Sequence, residues 1–252
     1  MDSRIWEETF KISSQSVNPR GVLGLFGLLN LLQETAWQHA ERVGFGTDQM
    51  QKDKLYWVVT RQYAEMSQWP KYGETIRIRT WIRPPSGAFV LRGFKVVNSK
   101  NEVIGQCAMS FLALEQGSGR ILPAQNLRPW QDLVSEESLI LEPEKIPVQG
   151  QYEKLAEFAV RNSDLDINQH VNNAKYAQWI LDSIPFDLHK TLKLNSYSVN
   201  FLTETLLGDT VEIEKSLSDS SQNEERGSTA YRGVRISDGK NLFTARLNWE
   251  KR

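Results

Sequence analysis

Cysteine occurs once in the 252 residues, at Cys107. A lone thiol excludes an internal disulfide and any metal site built on a CxxC pair. Histidine is scarce too, with three copies. Net charge is almost absent: 30 Lys and Arg against 31 Asp and Glu leave −1. That balance removes a global pull toward nucleic acid or membrane, while leaving local basic patches open. No uninterrupted apolar run approaches the roughly 20 residues of a membrane span. The start, Met1-Asp-Ser-Arg-Ile-Trp-Glu-Glu, lacks the basic-then-apolar order of a signal peptide. These absences lead us to expect a cytoplasmic protein with no cofactor, no metal, and neither nucleic acid nor membrane as partner. What is present is ordinary for a globular chain, 40% hydrophobic and 24% charged. The length allows one large domain or two modest ones, each with its own core.

In chain order, residues 5–16 read as a strand leading into the turn Asn18-Pro19-Arg20-Gly21. From Leu23 to Val43, apolar residues recur at Leu25, Leu28, Leu29, Leu32, Ala36 and Val43. That is one face of a helix about five turns long, with Gly44 and Gly46 as stop signals. Strand-like runs follow at 56–63, 75–82, 89–98 and 103–114, with turns at Pro70-Lys-Tyr-Gly73 and Ser99-Lys-Asn-Glu102.

The same order then returns: a strand at Phe158–Arg161, a helix at about Asn172–Ile184, a strand at Leu194–Leu202. Gly208-Asp-Thr-Val-Glu-Ile matches Gly73-Glu-Thr-Ile-Arg-Ile, and Arg232-Gly-Val-Arg-Ile-Ser-Asp matches Arg92-Gly-Phe-Lys-Val-Val-Asn, at offsets of about 135 and 140 residues. Several matches in one order indicate a duplicated unit, too long for a solenoid repeat and right for a pseudo-dimer of two domains. The expected domains are 1–115 and 153–252. Between them 116–152, with Pro123, Pro129, Pro143 and Pro147, has no sustained period and reads as a surface linker. In each unit a long amphipathic helix would bury its stripe against one face of an antiparallel sheet, an α+β architecture.

One stretch carries the chemistry-bearing side chains. A polar loop with Asp164, Asp166, Asn168 and His170 runs directly into a helical pattern at Val171, Tyr176, Ile180 and Ile184. Asn172 or Asn173 can cap the helix, and Asp182 and Pro185 mark its end. Taken alone, this loop is equally an Asx turn that caps a helix. His39 reads as a packing residue near a polar margin, and His189 as a solvated loop residue. Arg77, Arg79, Arg83, Arg92 and Lys95 form a basic run suited either to an acidic partner or to a solvated sheet face.

Asp164-Leu-Asp-Ile-Asn-Gln-His-Val-Asn-Asn-Ala-Lys-Tyr resembles the signature loop of the acyl–acyl carrier protein thioesterases of plants and bacteria. Leu31-Leu-Gln-Glu-Thr-Ala-Trp-Gln-His and Leu55-Tyr-Trp-Val-Val-Thr-Arg are similar to further stretches of that family. The resemblance covers nearly the whole chain. It implies a tandem double hotdog fold, each unit a sheet wrapped around a central helix. It also implies a hydrolase of fatty acid biosynthesis and lipid metabolism that releases fatty acid from acyl carrier protein, its partner. An acyl-CoA thioesterase and a non-catalytic acyl-binding protein are the alternatives, and a homodimer is left open.

Thioester hydrolysis needs an activated nucleophile, donors for an oxyanion and a proton for the thiolate. His170 can serve in acid–base chemistry or as a hydrogen-bond donor. Asn168 can donate to a carbonyl or hold a water, and Asp166 can orient either residue. Backbone N–H groups around Asn172 and Asn173 form a natural oxyanion site at the helix start. The family pattern adds a carboxylate, which falls on Glu204, as base for water or as direct nucleophile. The cysteine that follows it in the family is Thr205 here, so a cysteine nucleophile is not expected. The first-half counterpart of the loop, Val17–Gly21, offers no acid and no imidazole. The C-terminal unit is therefore expected to be catalytic. The resemblance gives the N-terminal unit the acyl chain, with Leu28, Leu32, Trp37 and the strand near Trp57 as walls.

Overall fold

The structure, a computed structural model, divides into two compact units, Met1–Pro143 and Glu144–Arg252. It describes residues 4–127, 130–135, 137, 142–217 and 225–252. Met1 to Ser3 and Pro129, used in the expectations above, lie outside the described residues.

The first unit runs β1 (Ile5–Lys11), α1 (Leu25–Arg42), α2 (Thr47–Lys52), β2 (Leu55–Met66), β3 (Thr75–Ser86), β4 (Phe89–Asn98), β5 (Val103–Glu115) and β6 (Ile121–Leu122). Its strands pair antiparallel in the order β1-β3-β4-β5-β2, with β6 added beside β5. α1 forms where the apolar period is cleanest. Leu25, Leu28, Leu29 and Leu32 fall on one face and are all buried. Each such side chain contributes roughly 1.5–3 kcal/mol by leaving water, and Leu32→Ala is expected to cost about 2–5 kcal/mol. The helix stops at Arg42. Two residues on, Gly44 takes φ +81°, the left-handed conformation that suits glycine.

The second unit runs β7 (Tyr152–Ala159), α3 (Asn173–Asp182), α4 (Phe186–Thr191), β8 (Leu192–Phe201), β9 (Thr210–Ser216), β10 (Arg226–Arg235) and β11 (Asn241–Lys251). Its order, β7-β9-β10-β11-β8, reproduces that of the first unit strand for strand. α3 lies on this sheet through aromatic contacts. Tyr176 meets Phe201 of β8 and Phe243 of β11 edge-on at 5.3 and 5.2 Å, and Trp179 stacks on Phe158 of β7 at 6.1 Å. Each unit is thus a hotdog of α+β class, an antiparallel sheet with a long helix across one face.

Several expectations need correction. The opening strand of the second unit is Tyr152–Ala159, not Phe158–Arg161. Among the described residues it pairs on one side only, with β9, and its charges, such as Lys154 bonded to Glu212 at 2.8 Å, mask the alternation. β1 ends at Lys11 rather than residue 16, because the chain turns there, with Ser16 N bonded to Ser13 O. The stretch 116–152 supplies core as well as connection. Ala124 and Leu127 are buried beside Phe45, Met50, Ile82 and Val90. Ile146 is buried in the second unit, its N–H donating to Asn200 Oδ1 at 2.7 Å. Single apolar residues spaced among prolines have no period to read.

The basic run is not a free surface either. Arg77, Arg83 and Lys95 pair with Glu7, Glu142 and Glu137 at 3.1, 3.2 and 2.6 Å. Arg92 is buried and donates to Thr80 Oγ1 at 3.2 Å, with its Nη1 2.9 Å from His39 Nδ1. Burial lowers its pKa to about 10. His39 is fully buried rather than marginal, and His189 bonds to the Leu181 carbonyl at 2.9 Å, fastening α4 to the end of α3. Among the described residues no helix is long and apolar enough to cross a membrane.

Candidate active site

The polar loop folds as a tight turn between β7 and α3. Asp166 N donates to His170 O at 2.8 Å and Gln169 N to Asp166 O at 3.0 Å. The Asp166 carboxylate fills the turn: Oδ1 accepts from Asn168 N at 2.8 Å and from His170 N at 3.2 Å. Asp166 therefore orders the backbone of Asn168 and His170, where the sequence suggested that it would orient their side chains. Asp164 closes the other side. Its Oδ2 accepts from Arg161 N at 2.8 Å, and its Oδ1 lies 3.3 Å from Lys175 Nζ on α3.

The turn is stitched to the segment after β8. Val171 N donates to Thr205 O at 3.1 Å, and His170 bridges Leu206. This brings Glu204 beside the imidazole, with His170 Nε2 3.3 Å from Glu204 Oε2. Both side chains are open to water, at 42% and 64% exposure. Solvent screens such a pair, so it is worth little in stability. Its interest is geometric: a carboxylate and an imidazole share one accessible edge. Asn168 stands exposed one step back along the turn.

The helix start is more occupied than expected. Asn172 N donates to Asp164 O at 2.8 Å, and the Asn172 side chain accepts from Ala174 N at 2.9 Å. The oxyanion expectation thus narrows to Asn173 N–H, which has no acceptor among the described residues. Beneath the turn, Thr205 is fully buried. Burial also pushes the Tyr176 phenol up to about 12, with Thr205 as the main opposing influence. Cys107 is buried in the other unit and its thiol is pushed up to about 12 by desolvation. It is not a nucleophile at neutral pH.

The first unit contains the same turn. Asn18 N donates to Val22 O at 2.8 Å, Gly21 N to Asn18 O at 2.9 Å, and Arg20 N to Asn18 Oδ1 at 3.0 Å. Gly24 N reaches Ser16 O at 2.9 Å and Leu23 N reaches Pro70 O at 2.7 Å. Bond for bond, Asn18 stands where Asp166 stands, Arg20 at Asn168, Val22 at His170 and Trp69 at Glu204. Even the left-handed position is kept, with φ +70° at Gly21 and +64° at Gln169.

One residue at this edge was missed in the sequence. Arg235, at the end of β10, reaches the carbonyl oxygen of Glu204 and the carboxylates of Asp209 and Asp238, the latter two at 3.2 Å. The sequence match set Arg232 against Arg92, and so Arg235 against Lys95. The register is different. Arg235 faces Val211 and opens a hairpin by donating to Lys240 O, as Asn98 faces Ile76 and donates to Glu102 O. The strands correspond at an offset of 137 residues, so the match at 140 stood three residues out of register.

Two hotdog units in one chain, only the second carrying acid, amide, imidazole and carboxylate together, define the class of protein. The comparisons with known proteins agree. The acyl-ACP thioesterase N-terminal domain matches residues 3–126 and the acyl-ACP thioesterase C-terminal domain matches residues 149–251. The chain belongs to the acyl-ACP thioesterase family. A dodecanoyl-[acyl-carrier-protein] hydrolase of Cinnamomum camphora is 26% identical over 97% of this chain and 67% of its own length. Oleoyl-acyl carrier protein thioesterase 1 of Arabidopsis thaliana is 29% identical over 84% of this chain and 63% of its own. The chain spans about two thirds of the length of the curated relatives it matches. Among solved structures, an acyl-ACP thioesterase from Bacteroides thetaiotaomicron superposes with a TM-score of 0.87 at 23% identity, covering 99% of this chain and all of that one. The 12:0-ACP thioesterase of Umbellularia californica gives 0.85 at 23% identity, over 98% and 94% of the two chains.

Proposed function

We propose that this protein hydrolyses the thioester between a fatty acyl chain and acyl carrier protein, with Glu204, His170, Asn168 and Asp166 as its site. The observation that carries the assignment is the 3.3 Å approach of His170 Nε2 to Glu204 Oε2, in the unit whose turn bears a carboxylate and an imidazole. Family membership supplies the substrate class: the relatives are named for acyl carrier protein substrates.

In the reaction a water held by Glu204 attacks the acyl carbonyl and gives its proton to that carboxylate. The C–O bond forms as the carbonyl π electrons move to oxygen. The Asn168 amide and the Asn173 backbone N–H are the donors available to the oxyanion, the latter strengthened by the positive end of α3. Collapse breaks the C–S bond, and the proton passes from Glu204, by way of His170, to the departing thiolate. Free acid and the carrier thiol leave, and Glu204 is again ionised. Asp166 holds the turn that aims Asn168 and His170. The N-terminal unit, whose equivalent turn is without acid or imidazole, takes the acyl chain; Leu28 and Leu32, fully buried in its core, are not open walls for it. The cytoplasm is the proposed compartment, in keeping with a single buried thiol.

Purified protein is to be assayed on acyl carrier protein and CoA esters of matched chains. Faster release from the carrier protein is expected. Turnover confined to CoA esters would overturn the substrate, and no turnover on either would overturn the enzyme assignment.

A further inference from the structure

We propose that Arg235 is a positioning residue that fixes Glu204 for catalysis, an inference that rests on the assignment of Glu204 above. Glu204 lies in a segment with no strand of its own, between β8 and β9. Its side chain is 64% exposed, so little packing holds it. Its place beside His170 must come from the backbone. Two ties come from the turn, through Val171 and the His170–Leu206 bridge. The third is Arg235, whose Nη2 donates to the Glu204 carbonyl.

The arginine is itself held firmly. Its side chain is only 14% exposed, with Nε 3.2 Å from Asp209 Oδ2 and Nη1 3.2 Å from Asp238 Oδ2. The first is a charge contact without hydrogen-bond alignment, since Arg235 Nε has no aligned acceptor. Asp209 Oδ2 also accepts from Leu206 N at 3.0 Å. One guanidinium thus joins both ends of the 204–209 segment to the β10–β11 hairpin. A planar fork with fixed donors is suited to this, and a lysine point charge is not.

The other unit supplies the contrast. There Lys71 N donates to Glu74 Oε2 at 2.8 Å, the equivalent of Leu206 to Asp209. Among the described residues the side chain of Asn98, at the place of Arg235, bonds only within its own hairpin, to Lys100 and Glu102. The fold closes this turn without an arginine in the unit that has Trp69 in place of Glu204. The arginine is present where a carboxylate must be aimed.

Misplacing a reacting group by about 1 Å can cost on the order of 10²-fold in rate. Arg235→Met is therefore expected to lower kcat at least about tenfold on acyl carrier protein substrate, with KM within about twofold, and Arg235→Lys to lower it less. The decisive arm is the double variant. If Arg235 acts through Glu204, Arg235→Met in a Glu204→Gln background changes kcat no further. An unchanged kcat in folded Arg235→Met would overturn the inference, as would an equal loss in both backgrounds. Should the methionine variant fail to fold, Arg235→Lys is read by the same cycle. Wild-type kcat in Glu204→Gln alone would instead remove the Glu204 assignment and this inference with it.

Discussion

The turns at 16–24 and 164–172 share hydrogen bonds, a left-handed residue and the helix that follows, yet they hold different side chains. Asn18 and Asp166 both accept from the N–H two residues on, so a carboxylate and an amide make that bond alike, while Asp166 also accepts from His170 N. Val22 and His170, Trp69 and Glu204 have no such shared role. The comparison separates what the turn needs in order to fold from what one copy has added. A backbone acceptor at the first position and a tolerated positive φ at the fourth belong to the fold. The imidazole, the exposed amide and the carboxylate belong to the second unit alone.

Breaking that asymmetry gives the largest expected effect. His170→Ala should lower kcat by about 10²-fold or more, as for an acid–base group, while Val22→Ala should leave kcat within about threefold. Steady-state assays on acyl carrier protein substrate check both, and similar losses in the two variants would dissolve the distinction. Asp166 comes next. Because Asn18 makes the equivalent bond with an amide, Asp166→Asn should keep kcat within about threefold, whereas Asp166→Ala loses the acceptor and should fall about tenfold, in the range of a misaligned turn. If Asn proves as damaging as Ala, the charge of Asp166 acts directly on the chemistry.

A smaller effect is expected at Cys107. With its thiol buried and raised to about 12, Cys107→Ser should retain activity. Folded protein should resist alkylation near neutral pH, read by mass spectrometry, and label only once unfolded. The smallest is at Gln169, where a non-glycine holds φ +64°. Such a residue carries roughly 1–2 kcal/mol of strain, partly offset by the greater freedom of an unfolded glycine. Gln169→Gly should therefore raise stability by up to about 1 kcal/mol in chemical denaturation, with activity unchanged; a loss of stability would show that the Gln169 side chain is bound.

Much of this was legible in the residues. The α1 stripe, the strand runs at 75–82 and 89–98, the Asn172 cap and the duplication all follow from periodicity and turn chemistry. The features that escaped share one cause: they depend on partners distant in sequence. β7 is an edge strand whose charged side chains, such as Lys154 paired with Glu212 of β9, interrupt the alternation. Ala124, Leu127 and Ile146 enter cores one residue at a time. Asn172 N–H looked available for an oxyanion until Asp164 O was seen to take it. Arg235 sits in an unremarkable strand end, and only the hairpin register sets it against Glu204. The approach of Glu204 to His170 was suggested by family resemblance alone, since nothing local in Thr203-Glu204-Thr205 marks a base.

The central claim is that Glu204, set beside His170, activates the water. Its most direct test is single-turnover hydrolysis of a long-chain acyl carrier protein by Glu204→Gln, with substrate affinity measured on the same sample. The account predicts binding within about twofold of wild type and a chemical step slowed by about 10²-fold or more. Full-rate hydrolysis by that variant would contradict it.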